Sequence, residues 1–75
     1  MKENFLKLFK ETLDIEDRDL VMSDEFRAFK EWDSISNLSV IALIDVEYEV
    51  IIENSVFKKI NTIEELWDKI EELNK

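Results

Sequence analysis

Not one glycine or proline interrupts these 75 residues. The two strongest punctuators of a backbone are missing, so element boundaries have to be read from capping residues and hydrophobic periodicity. The chain also lacks cysteine, so no disulfide or thiolate metal site can staple it. A domain of this length buries only about 60% of the surface its unfolded chain exposes. Stability must therefore come from apolar packing, for which 45% hydrophobic residues, with two Trp and five Phe, supply the material. The length allows one domain, residues 1–75, and no repeat, low-complexity tract or linker composition divides it.

Periodicity then predicts helices. Phe5, Leu6, Phe9 and Leu13 recur at helical spacing over about residues 2–14. That regularity is lost over 15–33, where acidic Asp14, Glu16, Asp17 and Asp19 give way to isolated apolar anchors at Ile15, Leu20, Val21, Met22, Phe26 and Phe29. A long connection pinned by those anchors, with a helical turn around Asp24–Phe29, is the expectation. A loop of such length in a small domain calls for a functional reason. Asp33 is a good N-cap for a second helix, Ser34 to Tyr48, which is apolar over much of its circumference. Either that helix is nearly surrounded, or part of its surface waits for a partner. Residues 50–53 read as an extended connection too short to pair into a sheet. Asn54 or Ser55 can cap a short third helix, roughly 54–60. Thr62 followed by Glu65 matches a capping box, and Ile63, Leu66, Trp67, Ile70 and Leu73 form one stripe of a last helix to about Asn74.

Several function classes are disfavoured at the same stage. Without His or Cys the common general bases, nucleophiles and zinc ligands are gone, and so small a domain has little room for a water-excluding pocket, so no catalytic residue is expected. Ten basic residues against 19 acidic ones give a net charge of −9, which repels nucleic acid and anionic membranes and suits basic patches on partner proteins. The acidic run Asp14–Asp19 lacks the glycine and terminal glutamate of a calcium loop, so it reads as solvated and no metal site is expected. No signal peptide or membrane-spanning run is recognisable, which makes a cytoplasmic monomer the default. Repulsion among so many carboxylates also predicts a fold that gains stability on mild acidification or with added salt.

Taken alone, Asp33-Ser34 before an apolar run is an ordinary helix start. The pattern around it is more specific. Trp32-Asp33-Ser34-Ile35 is followed by Leu38, the Ile41-to-Ile44 stretch, acidic Asp45 and Glu47, Tyr48 and Ile52, and then by Ile60-Asn61-Thr62-Ile63. This framework resembles the acyl carrier protein family, whose Asp-Ser-Leu motif opens the second of four helices. The resemblance covers nearly the whole chain, with most of its weight between Phe29 and Ile63. It implies an all-α, acyl-carrier-protein-like four-helix bundle: three longer helices, one short one, and a long loop between the first and second. It also implies 4′-phosphopantetheine bound to Ser34 through a phosphodiester, an acyl cargo held as a thioester, and partners in fatty-acid, polyketide or other specialised biosynthesis. Those partners are a phosphopantetheinyl transferase and acyl-loading and acyl-processing enzymes with basic docking patches. A phosphodiester there would sit at the positive end of the helix dipole, and an exposed serine at a loop end is open to a transferase.

By the same resemblance, Asp33 caps the helix and helps engage the transferase. Ile35, Leu38, Asp45 and Glu47 become candidate recognition positions, and Leu38, Ala42, Ile44 and Ile60 candidate lining for an acyl cleft. Ile35 stands where leucine is usual. Ser36 and Ser39 replace the acidic residues of fatty-acid-synthesis carriers, which thins the negative patch on the upper second helix. Trp32 replaces a small residue and gives the chain more the look of a stand-alone carrier of a specialised pathway. Trp67 reads as core, while Trp32 is suited equally to packing over the bundle end and to meeting a partner. An aminoacyl or peptidyl carrier is the nearest alternative, and an unmodified acidic helical adaptor is the alternative from another class.

Overall fold

In a computed structural model, which describes residues 2–74, the chain forms α1 (Lys2–Thr12), a single 3₁₀ turn (Phe26–Ala28), α2 (Ser34–Tyr48), α3 (Asn54–Phe57) and α4 (Ile63–Leu73). No strand forms among the described residues, and α1 packs against both α2 and α4. The expected bundle of three longer helices and one short one is what the sequence builds.

α1 buries Phe5 and Phe9, with Leu13 just past its end. It stops two residues short of the predicted end because Asp14 turns left-handed, at φ 57°. The Asp14 N–H then donates to the Glu11 carbonyl and the Ile15 N–H to the Lys10 carbonyl, the paired bonds of a helix-closing turn in which glycine is the usual residue. α2 also ends on a left-handed residue, but with a single closing bond. Glu49 takes φ 56° and ψ 37°, and its N–H donates to the Asp45 carbonyl at 3.0 Å. A chain without glycine has closed both helices with acidic residues in the left-handed conformation.

The long loop is held by more than its apolar anchors. Ile15, Leu20 and Phe26 are buried. Val21 is not: its backbone exchanges bonds with Asp24, giving its N–H to Oδ2 and taking the Asp24 N–H on its carbonyl, and its side chain faces solvent. Two carbonyls of the loop, Asp24 and Met22, accept from the Ile63 and Glu64 N–H groups. Those are the first N–H groups of α4, which have no partner inside the helix. The loop thus closes the end of a helix forty residues downstream.

The acidic run within the loop is cross-linked. Arg18 makes two bonds to the Glu31 carboxylate, at 3.0 and 2.8 Å, and a third to Asp17, while its guanidinium lies over Phe29. Lys30 reaches Asp17 and Lys10 reaches Asp19. The Arg18 bonds hold the Glu31 carboxyl below its ordinary range, and Lys30 does the same for Asp17.

The third helix differs from expectation. Neither Asn54 nor Ser55 caps it; Glu53 occupies the cap position without a side-chain bond, and the helix ends at Phe57, the chain reaching Ile60 through turns. The Asn54 side chain is drawn away, accepting from Asn37 Nδ2 on α2 at 2.9 Å. α4 opens as read. The Thr62 hydroxyl accepts from the Glu65 N–H at 3.1 Å, and the Glu65 carboxylate accepts from Thr62 N–H and Asn61 N–H. The two backbone bonds, Asn61 first, lower the Glu65 carboxyl.

Aromatic rings run through the core. Phe5 meets Phe9, Tyr48 and Trp67 at one end; at the other, Phe26 meets Phe9, Trp32 and Phe57 at 4.9–5.7 Å between centroids. Offset and edge contacts at such distances add roughly 0.5–1.5 kcal/mol each beyond buried area. Trp67 is core, as its place on the α4 stripe predicts. Trp32 packs on this second cluster, half-buried over the end of the bundle.

Candidate functional site

Asp33 sits in extended conformation and turns its carboxylate onto the first turn of α2. Oδ1 accepts from the Ser36 N–H at 2.9 Å and lies 3.0 Å from the Ser36 hydroxyl, which itself accepts from the Asp33 N–H at 3.2 Å. This is a reciprocal capping box in which Ser36 takes the place usually held by Glu or Gln. The Ser36 backbone bond, followed by its hydroxyl, holds the Asp33 carboxyl below the usual range. Ser36 is 7% exposed, with Glu31 O also in reach of its hydroxyl. It is a structural residue of the cap, and a carboxylate could not take its place without facing Asp33. The thinner negative patch expected from Ser36 therefore has a local structural reason.

The cap fixes Ser34 as the first helical residue. Its side chain is exposed, and its hydroxyl has no hydrogen-bond partner among the described residues. Beside it lies an open cavity of about 410 Å³ on the surface, lined by Arg27, Trp32, Asp33, Ser34, Asn37, Asn54 and Lys58. The long loop supplies Arg27, Trp32 and Asp33; α2 supplies Ser34 and Asn37; Asn54 and Lys58 come from α3 and the residue that closes it. Arg27 is anchored: its guanidinium donates to the Phe57 and Ile60 carbonyls and lies 5.2 and 5.1 Å over the Phe26 and Phe57 rings.

The other expected site residues divide into two groups. Ile35 and Leu38 are 69% and 68% exposed, and Ala42, Asp45 and Glu47 are exposed as well. With Val46, 76% exposed, the apolar members form a stripe down the outer face of α2. That outcome decides how the excess apolar surface of α2 is used: Val40 and Ile44 enter the core, and the stripe beginning beside Ser34 is left uncovered. Ile44 and Ile60, in contrast, are buried in the core while Leu38 and Ala42 face solvent, so the four cleft candidates do not share one surface.

Sequence reasoning missed Arg27, Asn37, Asn54 and Lys58. The available signal was weak: two cations in an acidic chain, one before and one after the second helix, whose common destination depends on how the loop and α3 pack. No helix among the described residues is long and apolar enough to cross a membrane.

No family model matches the chain, and no curated protein matches it by sequence. Among solved structures, the fold is similar to the solution NMR structure of holo acyl carrier protein from Geobacter metallireducens, with a TM-score of 0.81. The match covers 96% of this chain and 83% of that one at 18% identity. The chain has an acyl-carrier-protein-like fold.

Proposed function

We propose that this chain is a carrier domain that holds an acyl group as a thioester on a 4′-phosphopantetheine arm attached to Ser34. One observation carries the reading: in a fold similar to a holo acyl carrier protein, the serine of the Asp33-Ser34 pair is the exposed, unpartnered first residue of α2. The residues around it suit the group, since Arg27 and Lys58 line the same space as Ser34 and can face an anionic linkage.

When bound, the arm supplies a terminal thiol that carries cargo as a thioester. The chain's own part is positional. Asp33 and Ser36 lock the start of α2 and leave the Ser34 hydroxyl facing outward. In the loading reaction the Ser34 oxygen forms a bond to phosphorus as the pyrophosphate bond of coenzyme A breaks. The nucleotide half leaves, and the hydroxyl proton passes to a base of the transferase, because the Asp33 carboxylate is already engaged in the cap.

The stripe Ile35, Leu38, Ala42 and Val46 is the natural contact for the transferase and for acyl-loading and acyl-processing enzymes. Asp45 and Glu47 beside it add attraction toward basic partners. A cargo sheltered by Ile44 and Ile60 would have to part α2 from α3. The uncapped four-residue α3 is the element best suited to move.

The test is mass spectrometry of the apo protein incubated with a phosphopantetheinyl transferase and coenzyme A. A single addition is expected, abolished in Ser34→Ala while the helical circular dichroism stays unchanged. Addition persisting in that variant, or no addition with any transferase tried, overturns the reading.

A further inference from the structure

The cavity beside Ser34 is unusual for a chain of net charge −9, because two cations line it and neither is paired with a carboxylate among the described residues. Arg27 is fixed by two backbone carbonyls and two aromatic rings. Lys58 is exposed and without an ion pair. Across the cavity, Asn54 accepts from Asn37 through its side-chain oxygen, which leaves its amide N–H₂ for another acceptor. The one acid in the lining, Asp33, has Oδ1 bonded to the Ser36 N–H and hydroxyl. Two cations and a free amide donor therefore line the same space as Ser34.

We propose that this cavity is an internal anion site for the phosphodiester formed on Ser34, with Lys58 as its main counter-charge and Arg27 and Asn54 as supporting groups. The proposal rests on Ser34 being the attachment point. An exposed lysine binds a free anion weakly, since the pair must offset lost translational freedom and is screened by salt. A phosphate bonded to Ser34 has already lost that freedom, so its local concentration at Lys58 is set by the tether. The root of the arm then lies against α3 and Lys58 and does not project freely, and a partner enzyme must lift it away.

The experiment compares apo and modified protein, measuring the change in melting temperature on modification for wild type, Lys58→Met and Lys58→Glu, each against its own apo baseline. An unclamped phosphodiester shifts Tm equally in all three proteins, by the balance of surface repulsion against its favourable place at the N-terminus of α2. A clamped one raises it, by about 2–5 °C for a surface pair in a domain of this size. The gain should vanish in Lys58→Met, reverse in Lys58→Glu and shrink in high salt. An identical shift in all three proteins, or a wild-type Tm that falls on modification, overturns the clamp while leaving attachment at Ser34 intact. Absence of any mass gain in wild type would instead overturn the attachment itself.

Discussion

Replacing Glu49 by glycine should stabilise this protein, although glycine is generally the more disruptive residue. Glu49 holds φ 56° and ψ 37° to close α2, and no side chain with a Cβ adopts that region freely. The left-handed conformation costs an L-residue roughly 1–2 kcal/mol, and glycine escapes that strain. Against it stands glycine's larger loss of freedom on folding, roughly 0.5–1 kcal/mol. The difference is a net gain of about 0.5–1 kcal/mol. Nothing in the fold opposes it, because Glu49 is exposed and its N–H bond to the Asp45 carbonyl belongs to the backbone. For a domain of 60–100 residues that corresponds to a Tm increase of roughly 2–8 °C, read by far-UV circular dichroism at fixed pH and salt. Removing a charge from an acidic surface is a confounding gain, so Glu49→Gln is the control: it loses the charge and keeps the strained backbone. The same glycine placed at Glu47, inside α2, should lose about 1 kcal/mol. A Glu49→Gly protein no more stable than wild type, or a Glu49→Gln protein that gains as much, would refute the argument from backbone strain.

Two further outcomes follow from the caps. Asp33, Glu65, Glu31 and Asp17 all have carboxyls lowered in the fold, so the stability they add is complete above the unfolded carboxylate range near pH 4 and is lost as pH falls through their folded values. Thermal unfolding from pH 7 to 3 should therefore show an acid limb below about pH 4; Asp33→Asn, which keeps a capping oxygen without the titration, should shallow that limb, and an unchanged limb would exclude the cap as its source. Restoring negative charge near Ser34 should succeed only at Ser39: Ser39→Glu raises the on-rate for a basic partner at low salt in stopped-flow binding, while Ser36→Asp sets a second carboxylate against Asp33 and lowers Tm, and equal behaviour of the two variants would contradict the buried role of Ser36.

What the sequence determined by itself was everything governed by near neighbours along the chain. The span of α2, its cap at Asp33, the Thr62–Glu65 capping box and the burial of Phe5, Phe9 and Trp67 depend on periodicity and on residues three or four apart, so they could be read without knowing what packs where. The exposed Ser34 follows from the same local logic. Tertiary structure decided the rest. Ser36 looked like a missing charge until the loop brought the Glu31 carbonyl over it. Asn54 looked like a cap until α2 placed Asn37 within reach. Arg27 and Lys58, thirty-one positions apart, became the walls of one cavity only when the 3₁₀ turn and α3 stacked Phe26 on Phe57. Such meetings depend on how non-adjacent elements share a core, and no spacing rule along a single chain encodes that.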